Sequence, residues 1–209
     1  MENLLDLYDE DYDPLFPVVC LDEKPVHLIE ETRCPIPAKP GRCKKVDYEY
    51  RRNGSCNLFV AVEPLKGRRW LKATARRTKR DFAEFVKELV EDPAYACSRK
   101  IRIVMDNLNT HKESSLYERF SPEVARQLLR KVEFHYTPKH GSWLNMAEVE
   151  ISVLQKQCLS RYIPSQEFLK KETEVWEAER NARRATIAWN FTVPKARDKM
   201  AKSYLSLLN

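Results

Sequence analysis

Two aspartates that directly follow apolar runs are the first residues whose types and positions suggest chemistry. Residues 18–21 and 101–105 are almost wholly apolar, which predicts buried strands, and Asp22 and Asp106 come next. Because sites in open α/β sheets form beyond the carboxyl ends of strands, we expect the two side chains to converge. Close carboxylates repel each other unless a cation lies between them, and magnesium prefers oxygen ligands. For either aspartate alone, a turn or helix cap is the common alternative and stays open.

A carboxylate on the helix predicted for the segment SWLNMAEVEISVL would complete such a site. Glu148 and Glu150 are the two candidates. Apolar residues recur there at helical spacing and mark the buried face, namely Met146, Val149, Val153 and Leu154. Glu148 borders this stripe, whereas Glu150 lies further round toward solvent. We therefore assign Glu148 to the site, expect Glu150 to be solvated, and interpret the set as suited to metal-dependent phosphoryl chemistry.

The first elements along the chain that would position these residues are predicted to be β-strands. The segment FPVVCLDEKPVHLI predicts two short β pieces around an acidic turn at Asp22. Asn53 and Gly54 lie between two β-prone runs, and an Asn-Gly pair in that setting predicts a hairpin. We expect both arms of this hairpin to pair antiparallel beside the first strand.

Helices and two further strands alternate over the rest of the chain. Thr78 and Asp81 predict a capping box for a helix over residues 78–92. A strand at 101–105, a helix at 114–131, a strand at 132–136 and helices from residue 144, broken near Pro164 and Pro194, complete the list. The order β, β, β, α, β, α, β, α predicts an α/β fold with a mixed five-stranded sheet flanked by helices. We expect a single domain over residues 1–209, with an acidic N-terminal lead-in at 1–13 and a C-terminal helical extension at 165–209.

Charge is distributed unevenly along the chain. The net charge is +6 over 209 residues, but residues 1–31 hold ten acids against one lysine, and residues 42–80 hold 13 lysines and arginines against three acids. A basic run is often only a solvated face, yet this one also suits contacts with the phosphates of a polyanion. The basic residues that we expect to make such contacts are Arg68, Arg69, Arg76, Arg77, Lys79 and Arg80.

Composition excludes several classes of protein. No apolar stretch approaches about 18 residues, the length that predicts a transmembrane helix. The N-terminus lacks the basic and apolar regions of a signal peptide. The six cysteines are scattered without a C-x-x-C pair, so neither a disulfide scaffold nor a common zinc site is predicted. We expect a cytoplasmic protein with reduced cysteines and no membrane partner.

Three segments resemble a known family. VVCLDEKPVHL, IVMDNLNTH and FHYTPKHGSWLNMAEVEISVLQKQCL together resemble the DDE-type transposases of bacterial insertion sequences, in the mariner-like superfamily. The resemblance extends over residues 14–207 and implies an RNase H-like fold. It also implies that Asp22, Asp106 and Glu148 are the catalytic metal ligands, which selects Glu148 over Glu150 independently of helical phase. The 41 residues between Asp106 and Glu148 exceed the spacing of many relatives and imply an insertion before the glutamate helix.

The resemblance further implies a reaction and partners. Two Mg²⁺ ions about 3.5–4 Å apart, for which Mn²⁺ can substitute, would clamp the attacking and leaving oxygens of a phosphodiester. The enzyme would cut double-stranded DNA at the ends of an insertion sequence, and the freed 3′-hydroxyl would then attack target DNA, with TA as the target dinucleotide. A homodimer in a synaptic complex and association with the bacterial nucleoid are implied as well. Such transposases carry a helix-turn-helix domain before the first motif, so a separate helix-turn-helix subunit is a candidate partner.

Five supporting residues have weaker arguments. Asn107 and His111 could orient Asp106 or contact phosphate, although such residues after a strand also satisfy backbone groups. Lys139, His140 and Trp143 precede the glutamate helix, where DNA could pass. Trp143 could stack on an unpaired base, but a tryptophan there is more often part of the core.

Three other functions stay open beside the transposase. One is a catalytically silent, DNA-binding remnant that regulates a full-length transposase. Another is a ribonuclease of similar fold acting on RNA–DNA hybrids, which the S-W-L-N-x-x-E context disfavours. The third, a hydrolase of small phosphoesters, has no support from the basic stretch.

Overall fold

The structure is a computed structural model that describes residues 1–45 and 47–201. The end of the C-terminal extension predicted for residues 165–209 lies outside the described residues. A five-stranded sheet forms the centre, and its strands are β1 (Val18–Glu31), β2 (Tyr50–Glu63), β3 (Arg68–Thr74), β4 (Ile101–Met105) and β5 (Val132–Tyr136). The helices of the described part are α1 (Glu2–Asp9), α2 (Lys79–Val90), α3 (Glu113–Arg119), α4 (Pro122–Lys131), α5 (Ala147–Gln157), α6 (Gln166–Ala182) and α7 (Val193–Lys199).

The sheet is mixed, as predicted. Its strand order is β3-β2-β1-β4-β5. The pairs β1–β2 and β2–β3 are antiparallel, whereas β1–β4 and β4–β5 are parallel. The helical crossovers that precede β4 and β5 account for the parallel half, since parallel neighbours need a long connection.

The first strand is longer than predicted. We expected a break at Asp22, but β1 continues to Glu31 because it stays paired with β2 as far as Glu31 opposite Tyr50. On its other edge, β1 pairs with β4 only through Val18–Cys20. Asp22 therefore lies within a strand, just past the point where the parallel pairing ends.

Asn53 and Gly54 form a β-bulge, so the predicted hairpin turn at this position is wrong. His27 pairs with Ser55 and Ile29 with Arg52, which leaves two residues of β2 opposite one residue of β1. Gly54 has φ +94°, a value that favours glycine. The hairpin turn comes instead at residues 64–67, and its second arm is β3.

Both faces of the sheet are covered by apolar side chains. Val19 and Leu21 pack with Phe82 and other residues of α2 on one face. Cys20 and Val104 pack on the opposite face with Leu144 and Ala147 at the start of α5. Because side chains alternate along a strand, Asp22 and Asp106 follow Cys20 and Val104 onto the α5 face.

The helices agree with the predicted spacing apart from their ends. The capping box of Thr78 and Asp81 starts α2 as predicted. The helix predicted for 114–131 is two helices, because Ser121 caps a new start at Pro122. Pro194 lies in the first turn of α7, where proline is tolerated, and does not break a helix. No helix in the described residues is long and apolar enough to cross a membrane.

The acidic N-terminus contains a helix that we did not predict. The inner side of α1 buries Leu4, Leu5, Leu7 and Tyr8. These side chains pack with Ala196 of α7, and the Tyr8 ring lies 5.3 Å from that of Trp189. The C-terminal segment thereby covers the α5 face of the sheet.

Candidate active site

The parallel register of β1 and β4 brings the two predicted aspartates to the same level. Cys20 lies opposite Val104, so two residues further along both strands Asp22 lies level with Asp106. Glu148 lies in the first turn of α5, which covers this face of the sheet, and is partly exposed. The carboxylates of two adjacent strands and one helix thus face a common region.

Asn145 fixes the start of α5 against the strand that carries Asp22. Its side-chain amide donates a hydrogen bond of 2.8 Å to the carbonyl oxygen of Leu21, and its side-chain oxygen accepts one of 3.1 Å from the backbone N–H of Ala147. The residue is fully buried. This amide therefore sets the distance between Asp22 and the turn that contains Glu148.

Asp22 lies in an unfavourable electrostatic environment. Burial, together with the nearby negative charges of Asp106 and Glu148, raises the pKa of its carboxyl to about 6, although a hydrogen bond from the backbone N–H of Glu23 opposes the rise. A divalent cation would offset this repulsion, and carboxylate oxygens are the ligands that Mg²⁺ and Mn²⁺ prefer. Within residues 1–45 and 47–201, no three acidic, histidine or cysteine side chains are already arranged to hold a metal ion.

We expect Asp22→Asn to stabilise the metal-free protein near neutral pH. The pKa of this carboxyl is raised from 3.8 to about 6, so its protonated form stabilises the fold at low pH and that contribution is lost as the pH rises through 6. Above pH 6 the ionised carboxylate lowers the free energy of unfolding by up to about 3 kcal/mol. Thermal denaturation in EDTA should therefore show a higher Tm for the variant, with a larger gain at pH 7.5 than at pH 5. An equal gain from Asp11→Asn, at an exposed site, would contradict this account.

Asp106 is held by a buried histidine. His111 Nδ1 donates to Asp106 Oδ1 at 2.6 Å, and its Nε2 donates to Glu23 Oε1 at 3.1 Å. Burial alone would lower the pKa of this imidazole, but the hydrogen bonds to Asp106 and Glu23 outweigh it and raise the pKa to about 9. The ring is therefore protonated at neutral pH, and its contact with Asp106 is the one that an orienting role would need. Asn107 is exposed.

Glu23 was missed by the sequence analysis. Its side chain is buried on the face opposite Asp22, where it contacts His111 and lies 3.8 Å from Arg77. The burial of Glu23 could have been predicted from a strand that continues through residue 22. Side chains alternate between the two faces of such a strand, so the neighbour of Asp22 must point to the opposite face. Asp106, His111, Glu23 and Arg77 thereby form a chain of polar contacts that leads from the site to the surface.

The predicted DNA-binding residues fall into three groups. Arg76, Arg77 and Arg80 are exposed in the segment after β3, where Lys79 pairs with Glu118. Lys139, His140 and Trp143 are exposed in the segment after β5, next to the end of β4. Trp143 is thus outside the core, with its ring edge against Phe191.

Arg68 and Arg69 lie at the start of β3. Arg68 pairs with Asp92 at 2.9 Å and lies over the ring of Trp70. Arg69 is fully buried, so the prediction that it contacts phosphate is wrong. Its partner is Glu150, which we expected to be solvated and which is also fully buried.

The sequence of the chain matches one family model over most of its length. Residues 17–170 match the model of the DDE superfamily endonucleases. The chain belongs to this family. The identification made from the three motifs is thereby confirmed. No curated protein matches the chain by sequence.

Solved structures of a transposase share the fold of this DDE endonuclease. The Mos1 transposase in a paired-end complex with the left transposon end superposes with a TM-score of 0.60 at 17% identity, over 97% of this chain and 59% of that one. Mariner Mos1 paired-end complexes with Mg and with Mn give TM-scores of 0.56 and 0.58 at 17% and 15% identity, with the same coverage. The predicted RNase H-like fold is confirmed. This DDE endonuclease chain spans about three fifths of the length of those transposases.

Proposed function

We propose that this chain is a single catalytic domain of a transposase, which cuts and joins DNA strands with Asp22, Asp106 and Glu148 as its metal ligands. The observation that carries the proposal is the convergence of these carboxylates on one face of the sheet, where Asp106 and Glu148 both raise the pKa of Asp22. Membership of the DDE endonuclease family supports the same chemistry.

The proposed cofactor is a pair of Mg²⁺ ions, or Mn²⁺ in their place. When bound, they would stabilise charge on the attacking and leaving oxygens of the phosphodiester. The chain's own residues supply the rest: His111 keeps Asp106 oriented, Asn145 keeps Glu148 near Asp22, and the basic residues after β3 hold the DNA backbone. The Mos1 complexes with Mg and Mn support the choice of metal.

The proposed partner is double-stranded DNA, both as element ends and as target. The Mos1 structures are paired-end complexes with DNA of a transposon end, which supports a homodimer that brings two ends together. About two fifths of the Mos1 chain has no counterpart in this one. We propose that a helix-turn-helix region supplies the recognition of terminal repeats.

The test is strand cutting by the purified protein. We expect it to nick labelled duplex DNA in Mg²⁺ or Mn²⁺ and to be inactive in EDTA. RNA–DNA hybrids of the same sequence should be cut more slowly. Salt-sensitive DNA binding without cutting in either metal would overturn the catalytic proposal in favour of a silent, regulatory protein, and preference for the hybrid would indicate a ribonuclease.

We expect His111→Gln to lower the rate of cutting by about 10- to 100-fold, the usual cost of removing a residue that orients a metal ligand. A glutamine amide can take the place of Nε2 and keep the contact with Glu23, but it loses the contact with Asp106. His111→Asn is the matched control, because its amide takes the place of Nδ1 and keeps the contact with Asp106. Single-turnover cutting rates should be higher for His111→Asn, and equal rates would contradict an orienting role for Nδ1.

We expect the double variant Arg76→Gln, Arg80→Gln to weaken DNA binding and its dependence on salt. Each phosphate contact that is removed should reduce the slope of log affinity against log salt concentration by about 1. Fluorescence anisotropy with a labelled duplex at several salt concentrations measures this slope. Lys170→Gln, Lys171→Gln removes the same charge from exposed positions on α6. An equal loss of slope in that control would show that DNA does not follow the surface after β3.

A further inference from the structure

Three charged side chains meet at the first turn of α5, which carries Glu150. The carboxylate of Glu150 accepts hydrogen bonds of 2.5 and 3.0 Å from Arg69 and of 3.1 and 3.2 Å from Arg180. The Arg69 and Glu150 side chains are inaccessible to solvent, and Arg180 is 18% exposed. Well-packed apolar side chains are often at least as stable as a buried ion cluster of the same volume. Stability alone therefore does not explain this cluster.

Glu150 takes a buried place that the apolar pattern of its helix gives to Val149. From sequence, Val149 belongs to the apolar stripe and Glu150 lies toward solvent. In the structure Val149 is 43% exposed and Glu150 is fully buried. Neighbouring positions on an α-helix differ by about 100°. Met146, Ala147 and Leu154 are buried as well, so the apolar side of the helix faces the core and takes in the charged side chain of Glu150.

The two arginines belong to a fixed frame. Arg69 also donates to the carbonyl oxygens of Gly67 and Ala185. Its backbone N–H and carbonyl oxygen both pair with the side chain of Asn181 on α6, at 2.8 and 3.0 Å. Strand β3 and helix α6 are thus joined at the point where Glu150 enters, so that Glu150 cannot move without breaking several contacts.

We infer that Arg69, Glu150 and Arg180 set the rotation of α5 and thereby direct Glu148 toward Asp22, an inference that rests on the proposed function. If α5 turned so that Val149 took the present place of Glu150, Glu148 would take the exposed direction that Val149 now has. The three buried charges are in this sense positioning residues for the candidate metal ligand two residues earlier in the helix.

The decisive variant replaces the cluster by apolar side chains of similar size: Arg69→Met, Glu150→Leu, Arg180→Met. We expect its Tm to be no lower than that of the wild type and its affinity for DNA to be unchanged. Apolar contacts lack the direction of the hydrogen bonds that they replace, so we expect α5 to shift and the single-turnover cutting rate to fall about 100-fold, the cost of misplacing a reacting group by about 1 Å. Its affinity for Mn²⁺, measured without DNA by electron paramagnetic resonance, should fall as well. Lys170→Met, Glu174→Leu, an exposed pair on α6, is the control and should match the wild type.

A milder change tests the inference without removing both arginines. Arg180→Met leaves Glu150 paired with Arg69 and should lower the cutting rate about 10-fold, whereas Arg180→Lys, which keeps a cation, should restore most of it. Wild-type cutting and Mn²⁺ binding in the triple variant, or equal rates for Arg180→Met and Arg180→Lys, would overturn the inference while leaving the proposed function intact. A wild-type protein that neither binds Mn²⁺ nor cuts DNA would overturn both.

Discussion

Replacing Asp106 by asparagine, or Glu148 by glutamine, should lower metal-dependent cutting on the order of 1,000-fold. Both changes keep the size and shape of the side chain but remove the negative charge that would hold a divalent cation. A bound metal contributes several kcal/mol of transition-state stabilisation, and each 1.36 kcal/mol is tenfold in rate. Asp106→Asn should have the larger effect of the two, because the asparagine also loses the charge-assisted hydrogen bond from His111.

Single-turnover cutting of a labelled duplex, with circular dichroism to verify folding and anisotropy to verify DNA binding, measures this effect. Glu174→Gln is the control, since it removes one carboxylate from an exposed position on α6. A variant that keeps more than about a tenth of the wild-type cutting rate has lost less than about 1.36 kcal/mol of transition-state stabilisation. Such a result in either variant would mean that the assignment of that carboxylate is wrong.

The strands of the sheet were predictable where local pattern and tertiary pairing agree. The apolar runs before Asp22 and Asp106 correctly indicated buried strands, and the parallel register does bring the two aspartates level. The second half of β1 was predicted as a separate β piece, but its continuity through Asp22 was not predictable from the acidic residues there, which suit a turn. The two halves form one strand because β2 pairs with both, a long-range interaction that local periodicity does not contain.

Asn53 and Gly54 show how one local signal serves two structures. The pair favours positive φ, which suits a two-residue hairpin turn as well as a bulge. The choice depends on the pairing partner: here residues 50–52 and 55–63 both pair with β1, so that the chain does not reverse at residue 54. By contrast, the apolar residues of α1 recur at helical spacing within the acidic segment, at Leu4, Leu5 and Tyr8. This helix was therefore predictable from the sequence.

The burial of Glu150 is a different kind of failure. Helical phase favours Glu148 as the carboxylate of the site, which stays a prediction, but it placed Glu150 in solvent, because the stripe rule treats every charged residue as exposed. Arg69 and Glu150 are 81 residues apart and come together only when the first turn of α5 packs beside the start of β3. The residues around Arg69 and those around Glu150 give no local indication of this contact, so the buried pair could be found only from the fold.

This pair makes the second large effect a loss of stability. Glu150→Ala leaves Arg69 fully buried with its charge uncompensated, since its other acceptors are the neutral carbonyl oxygens of Gly67 and Ala185. Removing one partner of a buried ion pair costs about 3–5 kcal/mol, a large share of the total for most domains. Urea denaturation followed by circular dichroism should show this decrease in the free energy of unfolding.

The triple apolar variant is the appropriate comparison for Glu150→Ala, because it removes the same carboxylate together with the charges that need it. If the cost of Glu150→Ala comes from an unpaired arginine, the triple variant should regain that stability. A loss of less than about 1 kcal/mol in Glu150→Ala, the range of exposed pairs, would show that solvent reaches Arg69 when its partner is absent. Glu150→Ala should therefore be less stable than the wild type. The triple variant should be as stable as the wild type and yet cut DNA slowly. That separation of stability from activity distinguishes a cluster that orients Glu148 from one that only holds α5 in place.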